Sequence, residues 1–94
     1  MNTLHIVNKP GSPLALCQRA ILPDDGILFI EDGVYCIKEN LDDMKNLTQE
    51  QSIYCLKTDC QARGIVTIHP HISVIDYDIF VTLSCQYDQV ISWF

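Results

Sequence analysis

Five cysteines, three histidines and two adjacent carboxylates are the side chains that could carry covalent or acid–base chemistry in this chain. Cys17 has the most suggestive setting, because Lys9 and Arg19 stand close to it in sequence. A nearby cation lowers a thiol pKa below about 8.5 and enlarges the fraction of reactive thiolate. The competing reading places Cys17 on the inward stripe of a helix with Leu14 and Ile21, as one more buried apolar group. Glu31 and Asp32 could act as a carboxylate pair, but neighbours on a strand point to opposite faces, and Asp32-Gly33 reads more simply as a turn. His5 could move protons or hold a metal, or bond to neighbouring backbone. Cys55 and Cys60 with His69 and His71 make a nominal zinc set. The spacing is poor for a structural zinc site, since a single residue separates the histidines where three to five are usual, and Cys55 lies mid-strand, where a cysteine serves as a small hydrophobe.

The elements that must position these groups can be read from hydrophobic runs and turn residues. Leu4-His5-Ile6-Val7 is a first strand, stopped by Asn8-Lys9-Pro10-Gly11. Ser12 as cap and Pro13 at the first position open a helix carrying Leu14, Cys17 and Ile21. Pro23-Asp24-Asp25-Gly26 ends it and launches Ile27-Leu28-Phe29-Ile30, a continuous apolar run of the kind buried in parallel sheets. Glu31-Asp32-Gly33 breaks this run at its carboxyl end, the edge where open α/β sheets bind ligands and partners. Val34-Tyr35-Cys36-Ile37 is a candidate strand extension or hairpin arm. Glu39 to Gln51 reads as a surface helix, and Ser52-Ile53-Tyr54-Cys55-Leu56 as a strand. Thr58 and Gln61 have capping-box spacing for a short helix closed by Gly64. Ile65 to Ile68 is ambiguous. Ile72-Ser73-Val74-Ile75 is a strand, Asp76 caps a last helix with Tyr77, Phe80, Val81 and Ser84 on one side, and Gln89 to Phe94 is a final strand. Strands alternating with helices imply an α/β domain with a parallel or mixed sheet, spanning residues 1–94.

Composition narrows the function. Apolar residues make up 48% of the 94, enough for a packed core. A net charge of −6 with six scattered basic residues argues against a direct grip on nucleic acid. No stretch approaches the roughly 18 apolar residues of a membrane span, and Met1 to Val7 lacks the features of a signal peptide. A cytoplasmic protein with reduced thiols and no disulfide framework is predicted. Glycine-rich phosphate loops and Gly-x-Ser-x-Gly elbows are missing from the sequence, so no nucleotide, dinucleotide or hydrolase motif supports a cofactor. The ending Trp93-Phe94 supplies an aromatic pair suited either to an interface anchor or to core packing.

Five segments in order resemble the DsrH/TusB family along essentially the whole chain. They are Leu4 to Lys9, Leu28-Phe29-Ile30-Glu31-Asp32-Gly33-Val34-Tyr35, Ala62-Arg63-Gly64, Ile75 to Leu83, and the near-terminal Trp93. The resemblance implies a compact DsrEFH-like α/β domain with a central, mostly parallel sheet and helices on both faces. It implies a cytoplasmic heterohexamer with two paralogous DsrE/DsrF-like (TusD/TusC-like) subunits, served by small sulfur-carrier proteins. In the TusB branch the persulfide sulfur ends as 2-thiouridine at the tRNA wobble position; in the DsrH branch the complex works in sulfur oxidation. The main acceptor cysteine of such complexes lies in a paralogue. The resemblance therefore allows this subunit to be structural, or to use Cys17 as an auxiliary persulfide carrier, since some DsrH-type chains have a cysteine in the first helix. Sulfur transfer of this kind is an exchange between thiolate and persulfide, and it uses neither metal nor nucleotide.

Overall fold

The apolar runs set the frame. The computed structural model describes residues 2–39, 52–66 and 71–94. Five strands, β1 (Thr3–Val7), β2 (Gly26–Phe29), β3 (Ser52–Leu56), β4 (Ile72–Ile75) and β5 (Gln89–Trp93), form one sheet in the order β4-β3-β2-β1-β5. Every pairing is parallel. The central strands β1 and β2 are buried on both faces, as their uninterrupted apolar sequences require.

Side-chain alternation divides the sheet into two cores. On one face Val7, Ile27, Phe29, Ile53 and Cys55 pack with Leu14 and Cys17 of α1 (Ser12–Ala20) and with Cys36 and Ile37 of α2 (Tyr35–Glu39). Cys60 of α3 (Lys57–Ala62) joins the same cluster. On the other face Leu4, Leu28, Leu56 and Ile75 pack against Leu83, with Phe80 beside it, from α4 (Tyr77–Gln86). Fully burying one such side chain contributes about 1.5–3 kcal/mol, so these clusters dominate the fold. The chain steps outward from β1 to β4 and then returns under α4 to add β5 beside β1, which puts helices on both faces.

Local chemistry departs from expectation at three places. The residue preceding α1 is Gly11 at φ 92°, not Ser12; the Ala15 N–H donates to its carbonyl at 3.1 Å, with no side-chain cap. Val34-Tyr35-Cys36-Ile37 is no strand. A single 3-10 turn (Glu31–Val34) runs directly into α2. The turn is forced by packing: Ile30 N–H donates to the Val7 carbonyl at 3.0 Å, and a Cβ on Gly33 would overlap that same carbonyl. The chain therefore passes too close to the end of β1 for any side chain, and Val34, Cys36 and Ile37 are buried in helical spacing instead. Finally, α3 starts at Lys57 after Leu56, without the predicted Thr58–Gln61 box. Its end is as predicted: Gly64 sits at φ +67°, its N–H reaches the Gln61 carbonyl at 3.3 Å, and Ile65 N–H reaches the Cys60 carbonyl at 2.9 Å. Asp76 caps α4, accepting from Ile79 N–H at 3.1 Å. The surface helix expected over Glu39 to Gln51 lies outside the described residues, except that Glu39 ends α2.

Candidate functional site at the carboxyl edge of the sheet

All five strands end on one side, and the segments singled out in the sequence gather there. Beyond β2, Glu31 takes a positive φ of 48°, a conformation a non-glycine residue adopts only when held. The hold comes from α3: Asp59 Oδ2 accepts the Glu31 N–H at 2.7 Å. Arg63 closes the arrangement, donating from Nε to Asp32 Oδ1 at 2.9 Å and from Nη1 to the Asp59 carbonyl at 3.3 Å. The hydrogen bond to Asp32 leads the influences that raise the guanidinium pKa above its ordinary value. Glu31-Asp32-Gly33 and Ala62-Arg63-Gly64 thus form one clamp between the loop after β2 and the helix after β3. The two carboxylates are not a catalytic pair; Asp32 is engaged by Arg63, and Glu31 contributes its backbone.

A second constellation crosses the α1 face of the sheet. His5 and Asp25 are 2% and 3% exposed, the two buried polar side chains among the described residues. Asp25 Oδ2 stands 2.9 Å from His5 Nε2 and accepts the Leu22 N–H at 3.0 Å, while Oδ1 accepts the Thr3 N–H at 2.9 Å. Burial opposes ionisation of Asp25, but the bonds from His5 and the two backbone donors outweigh it, and the carboxyl lies below its usual range. On the other side of the imidazole, Trp93 Nε1 donates to His5 Nδ1 at 3.0 Å, and the two rings stack with an interplanar angle of 13°. The partners of His5 are therefore side chains, not the neighbouring backbone that its sequence context suggested. Asp25 is the residue the sequence hides, since Pro23-Asp24-Asp25-Gly26 reads as an ordinary turn. The one available signal is a second aspartate directly before an apolar strand, with a histidine on the strand that precedes it.

The thiols fall in unequal places. Cys17 is fully buried in the core with Leu14, and burial first, then the negative Asp25, push its thiol up to about 12. Lys9 and Arg19, the cations expected to favour its thiolate, are exposed. Cys55 and Cys60 are buried and hydrogen-bonded to each other, with burial raising both pKa values. His69 of the nominal zinc set lies outside the described residues and His71 is exposed; no group of three metal-binding side chains occurs among the described residues. Cys85, on α4, is the exposed thiol. Trp93 is half-buried, whereas Phe94 is 68% exposed. With Lys9, Pro10, Pro13 and Leu16 they line a groove of about 500 Å³ at the ends of β1 and β5.

Residues 11–90 match the family of DsrH-like proteins. The chain belongs to that family. A protein named TusB from Buchnera aphidicola subsp. Baizongia pistaciae is 39% identical over 94 residues, covering 96% of this chain and 99% of the relative. TusB of Yersinia enterocolitica is 32% identical over 82 residues, covering 85% and 86% of the two chains, and TusB of Photorhabdus laumondii is 37% identical over 71 residues, covering 73% and 75%. The crystal structure of the ychN protein from E. coli superposes with a TM-score of 0.72 over 98% of this chain and 99% of that one. At 16% identity it shows a shared fold and nothing more. The α/β domain with a mostly parallel central sheet expected from the sequence is the observed architecture.

Proposed function

We propose that this DsrH-like chain is a subunit of a sulfur-relay complex serving tRNA thiolation, and that it shapes an interface rather than carrying sulfur. The observation that carries the reading is the near end-to-end relationship with proteins named TusB. The relay is cytoplasmic, joins this chain to two DsrE/DsrF-like (TusD/TusC-like) paralogues in a heterohexamer, and delivers persulfide sulfur through small carrier proteins to the tRNA wobble uridine. The TusB relatives favour this branch over sulfur oxidation.

Four of the five thiols, Cys85 excepted, are buried and support a structural role. A relay cysteine must reach a donor persulfide as a thiolate. Cys17 is fully buried with its pKa raised, so carrying sulfur would require α1 to open. The exposed apolar surface supports assembly: Tyr77, Ile79 and Val81 of α4 stand in solvent with Asp78 as that helix's one charged residue, and Phe94 projects beside the groove. The aromatic pair Trp93 and Phe94 serves as an interface anchor, with Phe94 making the contact and Trp93 backing it.

Affinity capture of the tagged chain from its native host, with mass spectrometry of everything retained, tests the proposal. Two paralogous α/β chains in equal amount are expected, and a chain lacking Trp93 and Phe94 should retain less of both. Capture of the chain alone, or of unrelated proteins, would refute it.

A further inference from the structure

Two hydrogen bonds make opposing demands on the buried imidazole of His5. Nε2 faces Asp25 Oδ2 at 2.9 Å and Nδ1 faces the indole Nε1 of Trp93 at 3.0 Å. An indole nitrogen can only donate, so Nδ1 is the bare acceptor and Nε2 carries the proton that bonds to Asp25. The bonding thus selects the neutral Nε2–H tautomer. A second proton has one place to go, Nδ1, where it would confront the indole N–H donor against donor. The contact with Asp25 survives that change and strengthens, because a carboxylate then meets an imidazolium. The contact with Trp93 does not survive.

We infer that His5 is a protonation-sensitive latch on the end of β5: neutral, it holds the Trp93 indole against the sheet, and protonated, it lets the indole go. The surroundings leave the response to His5. Its register partners are Ile27 on β2 and Ile91 on β5, both apolar. The α1 helix presents Cys17, raised to about 12, and the far face presents Tyr87, also raised to about 12 and influenced by Asp25. The loop presents Asp25, whose carboxyl lies below its usual range, with Asp24 exposed beside it. Cys17, Tyr87 and Asp25 hold their charge state on mild acidification, so the two hydrogen bonds of the imidazole carry the response. The consequence falls on the groove, of which Trp93 is one wall beside Lys9, Leu16 and Phe94. A partner seated there meets a surface whose shape depends on one buried proton.

Trp93 is the single tryptophan of the chain, so its fluorescence reports the latch directly. In the full chain, acidification from about pH 8 to pH 5 should raise the acrylamide quenching constant, move emission to the red and shift the indole Nε1–H resonance, while the far-ultraviolet circular dichroism holds. His5→Gln can donate to Asp25 and accept from Trp93 but cannot gain a proton, and it should lose the response. A tryptophan equally protected at both ends of the titration overturns the latch, as does an equal response in His5→Gln. A fall in intensity without greater acrylamide access also overturns it, because the indole then stays beside a charged ring. Should His5→Gln fail to fold, nitrogen-15 shifts of His5 in the unaltered chain decide. Nδ1 gaining its proton in step with the indole shift supports the latch, and protonation with the indole unmoved contradicts it.

Discussion

At the scale of residues, burial decides which thiols can react. Cys85 is exposed and the other four cysteines are buried, so brief iodoacetamide treatment of the native chain should label Cys85 alone. All five should label after unfolding, and peptide mass spectrometry distinguishes the sites. Early labelling of Cys17 would show that α1 opens readily. The raised pKa values of Cys17, Cys55 and Tyr87, each to about 12, carry a further consequence. Their protonated forms are favoured in the folded state, so the unfolded chain loses those protons first as pH rises. The unfolded state then holds fewer protons than the native one, and stability falls with increasing pH. The contribution is intact below about pH 9 and is lost as pH climbs toward 12. Urea midpoints should therefore decline steadily above about pH 9; a flat alkaline profile would count against this. The attraction of Cys17 in the sequence came from Lys9 and Arg19, whose nearness along the chain does not become nearness to the thiol. Asp25 was illegible for the converse reason: its partners His5 and Thr3 lie far away in sequence and meet it only in the folded sheet.

At the scale of elements, all five strands are legible because each is a short apolar run between turn residues. Asp76 and Gly64 are legible because capping chemistry is local. Val34 to Ile37 misleads, since a short run of β-formers fits a strand or a buried helix equally well. What decides it is Gly33 against the Val7 carbonyl, a contact between segments that only the fold brings together. Gly33 and Gly64 should accordingly respond differently to substitution. Gly64→Ala finds open space and suffers only the cost of its positive φ, about 1 kcal/mol. Gly33→Ala drives a methyl into backbone and must displace the turn or the end of β1, costing about 1–3 kcal/mol or more. Denaturant unfolding of the two variants compares them directly, and equal losses would show that the turn after β2 yields easily. The Glu31–Asp59 and Asp32–Arg63 contacts explain why the two short motifs around those residues occur together: neither loop is held without the other.

At the scale of the whole molecule, the described residues keep apolar side chains of both sheet and helix in solvent, Val74, Val90 and Ile91 among the strands. The helix α4 lies alone among the described helices on its face and keeps Tyr77, Ile79 and Val81 in solvent, while Phe94 projects just past the end of the edge strand β5. Such surface is understandable in a chain that works beside others, and membership of the DsrH-like family gives it a setting. The four buried thiols and the exposed apolar faces suit the proposed reading, in which this subunit builds the relay and leaves the sulfur to its partners. The most direct measurement is the 2-thiouridine content of tRNA in a host strain lacking this chain, complemented either with the natural sequence or with Cys17→Ala. The account predicts that thiolation is lost in the deletion strain and restored equally by both. Restoration by the natural sequence alone, with Cys17→Ala folded and assembled, would make Cys17 a sulfur carrier and contradict it.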